Sequence, residues 1–142
     1  MKVLELKETN SAIAILIGSE VYRKSQFGGK HPLSIPRVSA VLDLVRALGI
    51  CDKEEYKTGP CAKPELLKSF HTADYIAVLK KTEVSQKISE KDAKTYNIGS
   101  LSNPVFPEMF KRPATSVGSS LLAADLVANG GRAYSLGGGL HH

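Results

Sequence analysis

The sequence predicts an α/β fold built on a parallel sheet, because strand-like runs alternate with segments of helical periodicity along the chain. The first run, residues 12–17, is continuously apolar and ends at Gly18, a pattern typical of a strand that is covered on both faces. A second strand-like run at 132–136 follows the longest helical segment. Strands and helices in this alternation are joined by right-handed crossovers into a parallel sheet.

The segment after the first strand is expected to form a long loop and then a helix. Residues 19–31 are rich in Gly, Ser, Tyr and Lys, and a loop of this length is usually functional or mobile. A helix is expected from about Ser34, with Ser34 as its N-cap, Pro36 in its first turn and Gly49 at its end. Its apolar face consists of Val38, Val41, Leu42, Val45 and Leu48.

The middle of the chain predicts one more strand and short helices. An extended segment is expected at 56–61. Pro64 stands where a helix tolerates proline, at its first position, and Thr72 is suited to cap the helix that follows. Residues 81–103 are polar and are expected to form an irregular surface excursion that includes a short helix at 89–94.

A long helix is predicted at 115–128, where Asn129, Gly130 and Gly131 end it. Its apolar residues are spread over most of its circumference, and we therefore expect it to be largely buried. These residues are Val117, Leu121, Leu122, Ala124, Leu126, Val127 and Ala128.

The last six residues, 137–142, read Gly-Gly-Gly-Leu-His-His and follow the final strand. Glycine allows close approach of a ligand or a second backbone, and ligands of parallel sheets bind beyond the carboxyl ends of the strands. On extended backbone His141 and His142 point to opposite faces, so one would face the site and the other would support it. Alternatively the pair is the remnant of a purification tag, but a tag has no reason to follow a buried strand and three glycines.

Composition excludes several classes of function. The 142 residues suit a single globular domain, with 42% apolar and 23% charged residues. The longest apolar run is far shorter than the roughly 20 residues of a membrane helix, and we expect a cytoplasmic protein without a membrane partner. The net charge is +5, but lysines interleaved with acidic residues predict a solvated face and no nucleic-acid site. Cys51 and Cys61 lack metal-ligand spacing and are expected to be reduced structural thiols.

Four separated motifs carry the chemistry, and they occur in a fixed order. They are Phe27-Gly28-Gly29-Lys30-His31-Pro32 with Pro36-Arg37, Glu65-Leu66-Leu67 with His71-Asp74-Tyr75-Ile76, Asn103-Pro104-Val105-Phe106, and Gly138-Gly139-Leu140-His141-His142. Together they resemble the zinc-dependent histone deacetylase family, within it the acetoin-utilisation-protein branch. The resemblance extends from about residue 12 to the end.

The resemblance implies a three-layer parallel α/β sheet of the arginase–deacetylase kind, of which residues 1–142 form a single partial domain, the N-terminal portion. It implies that His142 is the general base and that His141 supports it. Neutral imidazole is a suitable base near pH 7. It also implies that Arg37, Gly138 and Gly139 line a channel below the acyl pocket, although a helix-terminus salt bridge is the alternative for Arg37.

Two departures from the family pattern matter. Where the family usually has an aspartate that holds the substrate backbone, this chain reads Ser102-Asn103-Pro104, which favours a smaller acylated substrate. The family's zinc ligands, an Asp and a His two apart and a second Asp, lie downstream of the histidine pair. We therefore expect zinc in the complete enzyme and no zinc held by this chain alone, which would be inactive. His31, His71 and Asp74 are interpreted as structural.

Three hypotheses follow. The first is the N-terminal portion of a zinc-dependent deacetylase that acts on an acetylated lysine, polyamine or small metabolite. The second is a non-catalytic half-domain that acts in binding or assembly, and the third is an unrelated α/β binding domain with tag histidines. The edge of the last strand is expected to pair with a second copy of the chain or with a partner chain.

Overall fold

The fold was analysed in a computed structural model of the chain, which describes residues 13–23 and 36–138. In chain order the elements are β1 (Ala14–Gly18), a 3-10 turn (Glu20–Tyr22), α1 (Arg37–Ala47), β2 (Tyr56–Thr58), α2 (Pro64–Leu67), α3 (Ala73–Ser85), α4 (Glu90–Tyr96), α5 (Lys111–Ala128) and β3 (Arg132–Ser135). The described strands form a three-stranded sheet of order β2-β1-β3 in which both pairs are parallel. The predicted α/β class is confirmed.

The carboxyl ends of the three strands meet at one edge of the sheet. Leu16 of β1 lies opposite Tyr56 of β2 and Tyr134 of β3. Beyond the ladders, Gly59 N donates to Gly18 O at 2.7 Å, and Leu136 N donates to Ile17 O at 3.1 Å. Leu136, the residue between β3 and Gly137, is therefore held against the end of β1.

Helix α1 begins at Arg37, with Pro36 in the N-cap position and not in the first turn; Ser34, the predicted N-cap, lies outside the described residues. Gly49 ends the helix with a φ of +60°, a conformation that glycine adopts without strain. The helix packs closely on the sheet through Leu42, which is 1% exposed. A Cβ on Gly18 would lie 2.8 Å from Leu42 Cδ2, so this contact depends on a glycine in β1.

Helix α5 corrects the prediction in its length and in its buried face. It begins at Lys111, and apolar side chains that were expected inside are partly exposed: Val117 by 38%, Leu121 by 41% and Val127 by 55%. The buried residues are Arg112, Ala114, Thr115, Gly118 and Ser119. A Cβ on Gly118 would lie 2.0 Å from the carbonyl oxygen of Pro60, in the segment after β2. At this contact α5 lies too close to that segment for a large side chain to fit between them.

The segment predicted as a surface excursion contributes to the core. Helix α3 continues to Ser85, and Ser89 caps α4 by accepting from Asp92 N at 3.1 Å. Ile98, only 3% exposed, then packs with Phe106 and Met109. Partly buried residues of both helices and of the segments that follow them complete this cluster: Tyr75, Val78, Leu79, Ile88, Tyr96 and Val105. Within 13–23 and 36–138, no helix has the length and apolar character needed to cross a membrane.

Candidate active-site cavity

A cavity of about 620 Å³ lies beside the end of β3, and Gly137 and Gly138 form part of its wall. Val38 at the start of α1, Ile76 of α3 and Ser116 of α5 line other sides. The lining is mainly apolar, and its polar groups are few, as is usual in small-molecule sites. The cavity therefore joins the first turns of two helices to the carboxyl edge of the sheet.

Tyr22 connects the 3-10 turn after β1 to the glycine segment after β3. Its ring is 3% exposed, and its Oη donates to Gly137 O at 3.3 Å. Burial raises the pKa of Tyr22, and this effect outweighs the opposing influence of the Arg112 charge and the Ser116 hydroxyl. The phenol is therefore a neutral donor at physiological pH.

Arg112 places a buried cation in the wall of the cavity. The residue is 5% exposed, and its guanidinium carbon lies 5.2 Å from the centroid of the Tyr22 ring, within the range of a cation–π interaction. Burial lowers the pKa of Arg112, while Tyr22 and Glu108 act in the opposite direction. The sequence prediction missed both Tyr22 and Arg112. Arg112 shares a helical face with the small buried residues of α5, which is the signal that could have found it.

The structure describes some of the predicted site residues. Gly138 lines the cavity, and Arg37 is exposed at the first position of α1, next to Val38 in the cavity wall. Gly139, His141 and His142 lie outside the described residues, as does His31. The roles assigned to them stay predictions.

His71 also borders the cavity, immediately before α3. Its ring lies 5.0 Å from the Phe70 ring and 5.4 Å from the Tyr75 ring, measured between centroids. The neighbouring Thr72 caps α3, as predicted, because its hydroxyl accepts from Tyr75 N at 3.4 Å.

The motif resemblance implies zinc in the complete enzyme, so the side chains that could bind a metal ion need to be located. In the described part of the chain no three His, Cys, Asp or Glu side chains cluster closely enough to hold a metal ion. Cys51 and Cys61 are free thiols. The described residues thus do not fit a zinc ion.

Comparison with known proteins identifies the family. Residues 31–142 match the Histone deacetylase domain, and the chain belongs to the histone deacetylase family. It is 34% identical over 131 residues to the acetoin utilization protein AcuC of Bacillus subtilis (strain 168), covering 91% of this chain and 34% of AcuC. It is 29% identical over 119 residues to histone deacetylase 9 of Arabidopsis thaliana, and the match covers 82% of this chain and 28% of that protein.

Solved structures agree with this assignment. An HDAC homolog from Aquifex aeolicus superposes with a TM-score of 0.86 at 36% identity, covering 91% of this chain and 35% of the homolog. An HDAC homolog complexed with SAHA gives 0.85 at 37% identity, with the same two coverages. The chain thus spans about a third of the length of these relatives. The resemblance and the arginase–deacetylase fold predicted from the motifs are confirmed.

Proposed function

We propose that this chain supplies the histidine base and part of the acyl-side cavity of a zinc-dependent deacetylase. The substrate class is an amine acylated by a short acid: an acetylated lysine, a polyamine or a small metabolite. The observation that carries the proposal is the cavity at the end of β3. Gly137 and Gly138 line it, and the family's histidine pair follows them in the sequence as His141 and His142.

The chemistry assigned to this chain is proton transfer. His142, as neutral imidazole with an ordinary pKa of about 6.5, accepts a proton from the water whose oxygen attacks the acyl carbon. The C–N bond then breaks, the amine leaves with a proton, and the acid remains. His141 tunes the electrostatics of its neighbour. Gly138 and Gly139, with Arg37, line the channel below the acyl pocket.

The turn that replaces the family's aspartate supports a small substrate. Ser102 is exposed, and its Oγ lies 3.2 Å from Ser100 Oγ. The turn is closed by Gly99 N, which donates to Asn103 O at 2.8 Å. This turn therefore offers a serine hydroxyl engaged with a neighbour, where the family usually has a carboxylate to hold a peptide backbone.

The edge of β3 supports a proposal about assembly. Among the described strands β3 pairs with β1 alone, and Tyr134 of β3 is 66% exposed. We propose that a strand of a second copy or of a partner chain pairs at this edge. A non-catalytic half-domain that binds through the same edge is the second candidate function.

The test begins with the 142-residue chain. Zinc content, hydrolysis of acetyl-lysine and acetylpolyamine, and oligomeric mass are measured on the chain alone and after it is joined to the remaining two thirds of AcuC. We expect turnover only in the joined form, and its loss in His142→Ala with thermal unfolding unchanged. Stoichiometric zinc with turnover by the chain alone would overturn the half-site proposal. A stable oligomer without turnover in either form would favour the binding module.

A further inference from the structure

The contacts of Tyr22 join two strand ends that are far apart in the sequence. The backbone after β3 first bonds to β1 where Leu136 N donates to Ile17 O at 3.1 Å. One residue further along, Gly137 O accepts the Tyr22 hydroxyl at 3.3 Å. A side chain could not share this place, since a Cβ on Gly137 would lie 2.1 Å from Tyr22 Oη and 2.3 Å from its Cζ. The phenol thus lies directly against the backbone of Gly137.

Tyr22 is in turn fixed from the opposite side by α5. The Arg112 guanidinium lies 5.2 Å from the Tyr22 ring centroid, and both residues are at most 5% exposed. Arg112 occupies the first turn of α5, which packs closely against Pro60 through Gly118. Gly137 is therefore held in place by contacts that lead to α5, through Tyr22 and Arg112, as well as by the neighbouring hydrogen bond to β1.

We infer that Tyr22 is a positioning residue for the histidine-bearing segment: its hydroxyl fixes the carbonyl of Gly137, and its ring holds the space that glycine leaves. The inference rests on the proposed function and deepens it. His142 follows Gly137 by five residues, so a displacement of Gly137 shifts the start of the segment that carries the base. Misplacing a catalytic group by about 1 Å can cost about 100-fold in rate.

Two variants separate the hydroxyl from the ring in the joined enzyme. Tyr22→Phe removes the hydrogen bond and keeps the ring, and we expect kcat to fall about tenfold with KM unchanged. Gly137→Ala forces the ring aside, and we expect a fall of about 100-fold. The decisive variant combines Gly137→Ala with Tyr22→Ala. Removal of the ring gives the new methyl group its space, so the double variant is expected to be more active than Gly137→Ala. Additive losses would overturn the inference.

A second readout does not depend on activity. Amide hydrogen exchange in the 142-residue chain is expected to be about fivefold faster at Leu136 and Gly138 in Tyr22→Phe, and unchanged at Ile76 in α3. Tyr96→Phe removes the same atom from the helical cluster and serves as the matched control. Equal exchange in wild type and Tyr22→Phe would overturn the inference. If the joined wild-type enzyme shows no turnover, the proposed function fails, and the exchange comparison alone still decides whether Tyr22 fixes the segment.

Discussion

The two packed regions of this chain achieve close packing in opposite ways. In the sheet region, formed by β1–β3 with α1 and α5, glycines let main chain approach main chain or side chain. A Cβ on Gly59 would overlap Ser119 Oγ at 1.9 Å, and one on Gly118 would overlap Pro60 O at 2.0 Å. In the helical region, formed by α3, α4 and residues 98–110, large side chains such as Ile98 and Met109 fill the space instead.

The difference indicates which region can change without loss of the site. Side chains in a cluster can rearrange around a replacement of similar volume. A glycine contact with backbone cannot accept even one added carbon unless the elements separate. The cavity residue Gly137 belongs to the sheet region too, and its contact with the buried Tyr22 side chain likewise leaves no room for an added carbon while that ring is in place. The sheet region therefore fixes the part of the cavity wall that Gly137 and Tyr22 form, while the helical region contributes lining side chains, such as Ile76 and Met109, that can adjust to replacements.

The largest effect is expected from a cavity in the helical region. Ile98→Ala removes three buried carbons from a side chain that is 3% exposed, and should lower the free energy of unfolding by about 2–5 kcal/mol. Ile98→Leu preserves volume and should cost less than about 1.5 kcal/mol. Urea unfolding measures both. Equal losses for the two variants would show that shape, and not volume, decides packing in this region.

The second effect adds one carbon to the sheet region. Gly118→Ala places a Cβ 2.0 Å from Pro60 O and 3.0 Å from Ala62 N, and neither backbone atom can move alone. We expect a loss of about 1–3 kcal/mol, despite alanine's better helix propensity. Ser120→Ala, at an exposed position of the same helix, is the control and should be nearly neutral. If Gly118→Ala also unfolded at the wild-type urea midpoint, the distinction between the two regions would fail.

The sequence predicted what depends on local chemistry. Gly49 ends α1 and Thr72 caps α3, as predicted. The short helix predicted at 89–94 is present as α4, Glu90–Tyr96. The family was predictable because its chemistry lies in contiguous motifs. Periodicity failed for α5, whose buried face consists of small and polar residues that a hydrophobic pattern does not mark. Tyr22 was also missed, because its partner Gly137 lies 115 positions away.

A third effect concerns the contact between α3 and the start of α5. Glu83 Oε1 accepts from Phe110 N at 3.1 Å and from Lys111 N at 2.9 Å, which satisfies two of the amides that a helix N-terminus leaves unpaired. Glu83→Ala should cost about 0.5–2 kcal/mol, the range of helix caps. Glu83→Gln keeps an acceptor oxygen and should cost less. Glu54→Ala, at an exposed position, controls for loss of charge in the same urea series. A larger loss in Glu83→Gln than in Glu83→Ala would contradict this role.

The smallest effect is expected from the exposed ion pairs beside the 3-10 turn, where Arg23 binds Glu20 and Asp43. Arg23 holds the pKa of both carboxyl groups below their usual range. Their contribution to stability is therefore present above the unfolded-state pKa values of about 4, and it is lost as the pH falls through the lower folded-state values. Salt screens such exposed pairs.

Arg23→Gln should consequently lower the thermal midpoint slightly at low ionic strength, and the difference should vanish in about 1 M NaCl and in strong acid. The pairs join the 3-10 turn to α1, but they lie outside the glycine contacts. If the difference persisted at high salt, the ion pairs would be needed to hold the turn that carries Tyr22. The sheet region would then be held by surface charge as well as by glycine packing, and glycine contacts alone would not distinguish it from the helical region.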